Sequence, residues 1–487
     1  MNTRFDTLTF STQALAEITG GTVIRPSSNS HSGLVTDSRI AAPGNIFLAL
    51  RGEKADGHNF IDGAVARGAS CIIAERTAEE TMRKLPGTCA VILVPNTLYA
   101  LGALGKWYLR LYNPKVIAVT GSVGKTTTKQ MIYAVVSAAH QAMCTEGNYN
   151  NEIGLPLTLM QIGPKDQVAV LEAGMSYPGE LHRLSLISEP DITVITNIGT
   201  SHIENLGSRE GIRDAKLEML DGMKAGSYVL FNGDEPLLTE KEENIRTRGL
   251  VPITFAKQNP HADYLAEHIR MTPNDCTFDM RQTKTGAVIK NLHIPVTGEH
   301  NVGNAMAAYL CGMLCGMEEA NIRLGLDAFE NTGMRQKLIP FGNATFIEDC
   351  YNASPESMEA ALHVLVSLAK EHGGRSVAVL GDMRELGSYS PTLHKRVGSL
   401  AAELGVECLI TVGEEAQQIA QGAVIGGMKE DAITVIPSCD DAAAAAAAAL
   451  LREYIRAEDS DTVLFKASRA VALERIVNLL LELETES

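Results

Sequence analysis

Short, unbroken apolar runs that recur between helical stretches constrain this chain more than any other feature. In the middle of the sequence, "KVIAVT", "QVAVLEAG", "DITVITNIG" and "GSYVLFNGD" are each followed by polar or helix-forming residues. A strand with one solvated face alternates apolar and polar positions, whereas a run without alternation must be covered on both faces. The pattern predicts a parallel sheet wrapped by helices. It returns in the last third as "ATFIEDCYN", "SVAVLGDM", "ECLITVG", "AITVIPS" and "DTVLFKAS", a second doubly wound unit. Near the start, "NIFLAL" and "SCIIAE" read as strands around a helix at "HNFIDGAVARG".

An amphipathic helix, "NTLYALGALGKWYLRLYNP", stops at Asn113-Pro114 and marks a linker. The stretch from "ADYLAEH" to "LHIPVTGEHN" reads as antiparallel strands added to the central sheet, and the helix "NVGNAMAAYLCGMLCGM" follows. The alanine run Ala442–Ala449 reads as an ordinary helix behind an Asp440-Asp441 cap. The expected class is α/β with three domains. These are a small N-terminal α/β domain (1–113), a central P-loop parallel-sheet domain (114–333) and a C-terminal Rossmann-like domain (334–487).

Composition excludes several functions. A net charge of −16 opposes nucleic-acid binding, which is built on basic patches, and 5% aromatic residues leave little to stack on bases. No apolar stretch reaches the length of a membrane span, and "MNTRFDTLTFSTQALAEITGG" is too polar for a signal peptide. A cytoplasmic protein without membrane insertion is expected. The nine cysteines are scattered without a CxxC, as suits reduced thiols; Cys311 and Cys315 read as core residues of one helix. A monomer is the expectation.

The chemistry begins at "VTGSVGKTTTK", where a strand becomes a helix. Gly121 and Gly124 let the backbone around Ser122 and Val123 curl so that successive N–H groups face one concavity. The helix N-terminus adds partial positive charge, Lys125 a full one, and Thr126, followed by Thr127, a hydroxyl for Mg²⁺. Val119 stands where the strict Walker pattern has its first glycine, so the match is to a shorter GxxGKT form. A triphosphate is expected there. Glu172 ends "VAVLE" and His202 follows the next strand, two crevice positions suited to a cation. Lys216, on a helix, reads from its spacing as a solvated lysine.

Taken together, "TDSR", "GNIFLALRGEKADGHNFI", "VTGSVGKTTTK", "TEGNYNNEIGLPLTL", "LEAGMSYPGE", "NIGTSHIENLGS", "AKLEM", "GEHNVGNAMAA", "EDCYNASPESM", "LGDMRELG" and "FKASR" resemble the Mur ligases in order and content. These enzymes add amino acids to the peptidoglycan precursor. "LGDMRELG" with "DCYNASPES" is most similar to the member that adds D-alanyl-D-alanine to UDP-N-acetylmuramoyl-tripeptide, with ATP and Mg²⁺, through an acyl phosphate. The alternative is a member adding a single amino acid. The DNPR motif of members that select diaminopimelate is absent.

The resemblance implies roles residue by residue. Thr36, Asp37, Ser38 and Arg39 meet the UDP part of the substrate, and Asn148, Asn151, Asn352 and Ser354 line the peptide and amine sites. Gly121 to Thr127 hold the phosphates, Glu172 and His202 the metal. Lys216 becomes the carbamylated lysine that holds a second Mg²⁺, which overturns its reading as a solvated residue. Asn301 and Asn304 lie in the adenine region, Asp349 binds ribose, Tyr351 lies by the base, and Arg335 reaches the γ-phosphate. Ser354 and Ala467 stand where relatives carry asparagine and glycine. The third domain is expected to rotate onto the second about a hinge near Thr332–Arg335.

Overall fold

The structure is a computed structural model and describes residues 4–52, 55–76, 83, 85–331, 333–455 and 460–485. Thr332, within the expected hinge, and Glu53 and Lys54 of the "GNIFLALRGEKADGHNFI" segment lie outside the described residues. Three sheets follow one another along the chain.

The first sheet orders its strands Thr22–Arg25, Ala90–Leu93, Cys71–Ala74, Ile46–Leu48 and Leu34–Val35, parallel except for the first pair. The helix Thr97–Tyr112 closes this part of the chain. Asn96 caps its start by accepting from Tyr99 N, and Asn113 ends it in the left-handed region at φ 48°. That helix is a seam as well as a boundary. Tyr108 Oη donates to Ile162 O at 3.0 Å, Lys106 Nζ donates to Leu186 O at 2.7 Å, and Phe5 N donates to Met160 O at 3.2 Å. Phe5, Phe10, Trp107, Tyr108 and Tyr112 pack their rings against one another there. Tyr108 and Phe5 are fully buried, so the first and second sheets share one continuous apolar core.

The nine-stranded second sheet runs Val288–Ile294, Cys276–Gln282, Tyr264–Met271, Val251–Ala256, Tyr228–Asn232, Ile192–Ile195, Lys115–Thr120, Val168–Glu172, Ala142–Cys144. Six junctions are parallel, and the two joining Tyr264–Met271, Cys276–Gln282 and Val288–Ile294 are antiparallel, as the less regular sequence there suggested. Every residue of Val168–Glu172 and Ile192–Ile195 is buried, which is why these strands lack alternation.

The third sheet orders Lys337–Phe341, Ala344–Asp349, Thr462–Lys466, Ser376–Gly381, Cys408–Val412 and Ile433–Ile436. Its first strand is antiparallel and its others parallel. Asp440 caps the alanine-rich helix Asp441–Tyr454 by accepting from Ala443 N at 2.8 Å. Among the described residues no helix is long and apolar enough to cross a membrane, and all nine cysteines are free.

Candidate active site

The strands Ile192–Ile195, Lys115–Thr120 and Val168–Glu172 are neighbours, so the segments leaving their C-terminal ends meet in one crevice. The glycine loop leaves the middle strand. Gly121 has φ 150°, and a Cβ there would lie 1.9 Å from Thr196 Oγ1, so the position admits no side chain. Gly124 has φ 84° and opens the helix Lys125–Ser137. The segment after Ile195 braces the loop: Val123 N donates to Asn197 Oδ1 at 2.9 Å and Thr196 Oγ1 donates to Val123 O at 2.6 Å. Lys125 Nζ folds back to donate to Gly121 O at 2.8 Å and Ser122 O at 3.2 Å. Desolvation lowers its pKa, Glu172 opposes that, and the Arg335 cation adds to it.

Glu172 is 3% exposed, yet it is fully engaged. Thr126 Oγ1 donates to one of its oxygens and Asn150 Nδ2 to the other, both at 2.8 Å. Beneath it lies Lys129, wholly buried, with Nζ 3.7 Å from the carboxylate and donating to Thr145 O at 2.6 Å. Hydroxyl and carboxylate oxygens side by side suit a hard cation such as Mg²⁺. Among the described residues no group of three or more His, Cys, Asp or Glu could hold a metal alone. Lys216 is 2% exposed, contrary to the solvated reading of its helix. Burial pushes its pKa well below the ordinary lysine value, and its charged neighbour is Lys125.

The third domain supplies the facing wall. Arg335 stacks its guanidinium 4.2 Å from the centre of the Tyr351 ring. Asp349 ends its strand and accepts from buried Lys466 Nζ at 2.6 Å; the same ammonium donates to Asn352 O at 3.1 Å. Ser354 caps the helix Pro355–His372 through a reciprocal box with Ser357. A serine caps a helix about as well as asparagine does. The Ala467 methyl lies where a Cβ on Gly381 would meet it at 2.7 Å, so the added carbon is accommodated by a glycine opposite. Between the walls lies a cavity of about 530 Å³ bordered by the glycine loop, Glu172, His202, Lys216, Arg335 and Tyr351.

Three matches with family models succeed one another along the chain. "Mur ligase family, catalytic domain" covers residues 31–105, "Mur ligase middle domain" 119–312, and "Mur ligase, glutamate ligase domain" 334–469. The UDP-N-acetylmuramoyl-tripeptide–D-alanyl-D-alanine ligase of Bacillus subtilis (strain 168) is 38% identical over 471 residues, covering 96% of this chain and 97% of that protein. The chain belongs to the Mur ligase family. The Escherichia coli (strain K12) protein of the same name is 31% identical to this Mur ligase, with 92% and 93% covered. MurF from Acinetobacter baumannii superposes with a TM-score of 0.87 at 31% identity, covering 98% of this chain and 99% of that one. MurF from Thermotoga maritima in complex with ADP gives 0.80 at 26% identity, with 93% and 98% covered.

Of the expected site residues, the Mur ligase brings Gly121 to Thr127, Asn148, Asn151, Glu172, His202, Lys216, Asn301, Asn304, Arg335, Asp349, Tyr351, Asn352 and Ser354 to the cavity. Asn151 also caps a turn by accepting from Gly154 N, and Asn304 bridges Thr128 Oγ1 to Asn301. Thr36 to Arg39 do not border it. They form a turn in which Asp37 accepts from Arg39 N at 2.9 Å and pairs with its guanidinium, which holds the carboxyl at about 2. Four residues went unread: Lys129, Asn150, His300 and Lys466. Lys129 repeats Lys125 one helical turn on, and Asn150 sits between two asparagines that were singled out. His300, beside Asn301, is pushed down to about 4, first by burial and then by Lys257 and Lys466.

Proposed function

We propose that this Mur ligase joins D-alanyl-D-alanine to UDP-N-acetylmuramoyl-tripeptide, spending ATP to activate the tripeptide carboxylate as an acyl phosphate. One arrangement carries the reading: Lys125, Glu172 and Lys216 of the central domain face Arg335 and Tyr351 of the third across a single cleft. It occurs in a chain 38% identical, over 96% of its length, to a protein named for that reaction. In this reading the division at 113/114 and 333/334 separates substrate, nucleotide and amine functions.

A carboxylate in water is a poor electrophile. Transfer of the γ-phosphoryl group to it yields ADP and an acyl phosphate. The dipeptide amine then attacks the acyl carbon, loses a proton, and phosphate leaves from a tetrahedral species. Two anions must approach each other first, and Lys125 and Arg335 offset that repulsion from opposite walls. Thr126, Glu172 and His202 would hold Mg²⁺, which supplies further positive charge to the phosphates when bound. Burial and the cationic Lys125 push the Lys216 pKa well below the ordinary lysine value, which favours the neutral amine. It can add CO₂ and release a proton, turning a would-be cation into a carbamate anion.

Asn301, Asn304, Asp349 and Tyr351 serve the nucleoside; Asn148, Asn151, Asn352 and Ser354 serve the peptide and amine. Thr36 to Arg39, which do not border the cavity, take the UDP end of an elongated substrate. Water destroys an acyl phosphate, so the third domain closes on the second during turnover. The test is phosphate release with ATP, Mg²⁺ and UDP-N-acetylmuramoyl-tripeptide, offering D-alanyl-D-alanine or single amino acids. Release with the dipeptide alone is expected. Release with a single amino acid in its place selects the single-residue ligase, and no release with any amine refutes both.

A further inference from the structure

The motif "LGDMRELG" has a place in the structure that the phosphate and peptide sites do not use. It leaves the C-terminal end of the strand Ser376–Gly381 and crosses to the central domain, where it meets the turn that carries His202. Three contacts define the crossing. The Glu385 carboxylate sits directly against His202 Nδ1. Glu204 N donates to Glu385 O at 3.3 Å, and Tyr389 Oη donates to Gly207 O at 3.1 Å. Gly387 lies so close that a Cβ would meet Glu204 Cγ at 2.9 Å.

The two residues that face each other hold backbones seldom adopted outside glycine: His202 has φ 63° and Glu385 φ 65°. Such a backbone is strained and persists only where its surroundings enforce it. The enforcement on the third-domain side is visible. Met383 N donates to Nε2 of wholly buried His394 at 3.0 Å, and Arg384 N donates to Ser468 Oγ at 2.9 Å. Leu386 and Ile203, flanking the pair, are 2% and 5% exposed. The loop is therefore a rigid arm, not a surface strap.

What the arm does to His202 follows from imidazole chemistry. Nδ1 is shut away from solvent, and the neighbouring group is an anion. A carboxylate beside Nδ1 favours the proton on that nitrogen, which leaves the lone pair on Nε2. His202 borders the interdomain cavity, so the nitrogen able to ligate a cation is the one left over. With Glu385 half-exposed, the contact contributes little energy by itself. Its value here is orientation.

We propose that Glu385 is a positioning residue: the third domain carries it to His202, fixes the imidazole with Nδ1 protonated, and so couples completion of the cation site to docking of that domain. This rests on the ligase reading for its purpose, but its test does not require turnover. In protein labelled with ¹⁵N-histidine, the His202 ring signals are assigned by their loss in His202→Asn. The tautomer is then read in the unsubstituted chain, in Glu385→Asn and in Tyr389→Phe. Asparagine tolerates the left-handed backbone at 385, and Tyr389→Phe removes a seam contact without touching the carboxylate.

The unsubstituted chain and Tyr389→Phe are expected to show the Nδ1-protonated form, and Glu385→Asn to lose it. Mn²⁺ affinity measured by electron paramagnetic resonance, with a non-hydrolysable ATP analogue present, is expected to fall about tenfold or more in Glu385→Asn only. Any other pattern in the tautomer or the affinity overturns the proposal. Absence of phosphate release from the unsubstituted protein would instead defeat the ligase reading, and the ring signals would still decide the role of Glu385.

Discussion

Replacing Lys129 with methionine puts the electrostatics around Glu172 to a quantitative test. Lys129 is wholly buried and Glu172 3% exposed, so neither charge can relax into water. At 3.7 Å and an effective dielectric of about 20, their attraction is about 4 kcal/mol. The substitution also removes the ammonium bond to Thr145 O. Thr126 and Asn150 still donate to the carboxylate, so a loss of about 3 kcal/mol is expected, at the lower edge for breaking a buried pair. For a domain of this size that corresponds to a melting-point drop of about 6 to 12 °C, read by calorimetry without nucleotide. Glu172→Gln should cost about the same, because it leaves a buried ammonium without its anion. The double variant should cost about 3 kcal/mol less than the sum of the two. Strict additivity would mean that the two charges do not sense each other, and the account of Glu172 as a carboxylate held ready by a cation beneath it would be wrong.

Lys125→Ala should lower turnover by about 10³-fold or more while leaving the melting point nearly unchanged, since the lysine bonds only to its own loop; stopped-time ADP measurement checks it. Lys216→Ala should lose activity and regain part of it with formate or acetate, small anions that fit the space of a carbamate; intact-mass analysis of the unsubstituted protein at high CO₂ should show the adduct. Gly121→Ala should weaken ATP-analogue binding by tenfold or more in titration calorimetry, because the methyl collides with Thr196 Oγ1 at a backbone angle alanine avoids.

The sheets were readable because they are buried. Val168–Glu172 and Thr462–Lys466 have no exposed position, and their unbroken apolar runs say so directly. Lys337–Phe341 was read only as a domain start. It is an antiparallel edge strand with mostly exposed side chains and an internal proline, and only pairing with Ala344–Asp349 makes it a strand. The glycine loop after Thr120 declared itself because glycine spacing is a local property. Lys129 and Lys216 could not, since a lysine on a helix reads as solvated until the packing above it is known. The pairing of Glu385 with His202 joins two loops from different domains, and no periodicity encodes such a contact. Thr36 to Arg39 were noticed through resemblance alone, because as bare sequence they form a solvated turn.

Trp107 is the chain's one tryptophan, and it packs edge-on against Phe10 at 5.4 Å between ring centres, within the seam joining the first two sheets. Its ultraviolet emission is thus a built-in reporter of the N-terminal side of that junction. During denaturant titration a red shift will time the loosening of the helix Thr97–Tyr112 from the Phe10 segment.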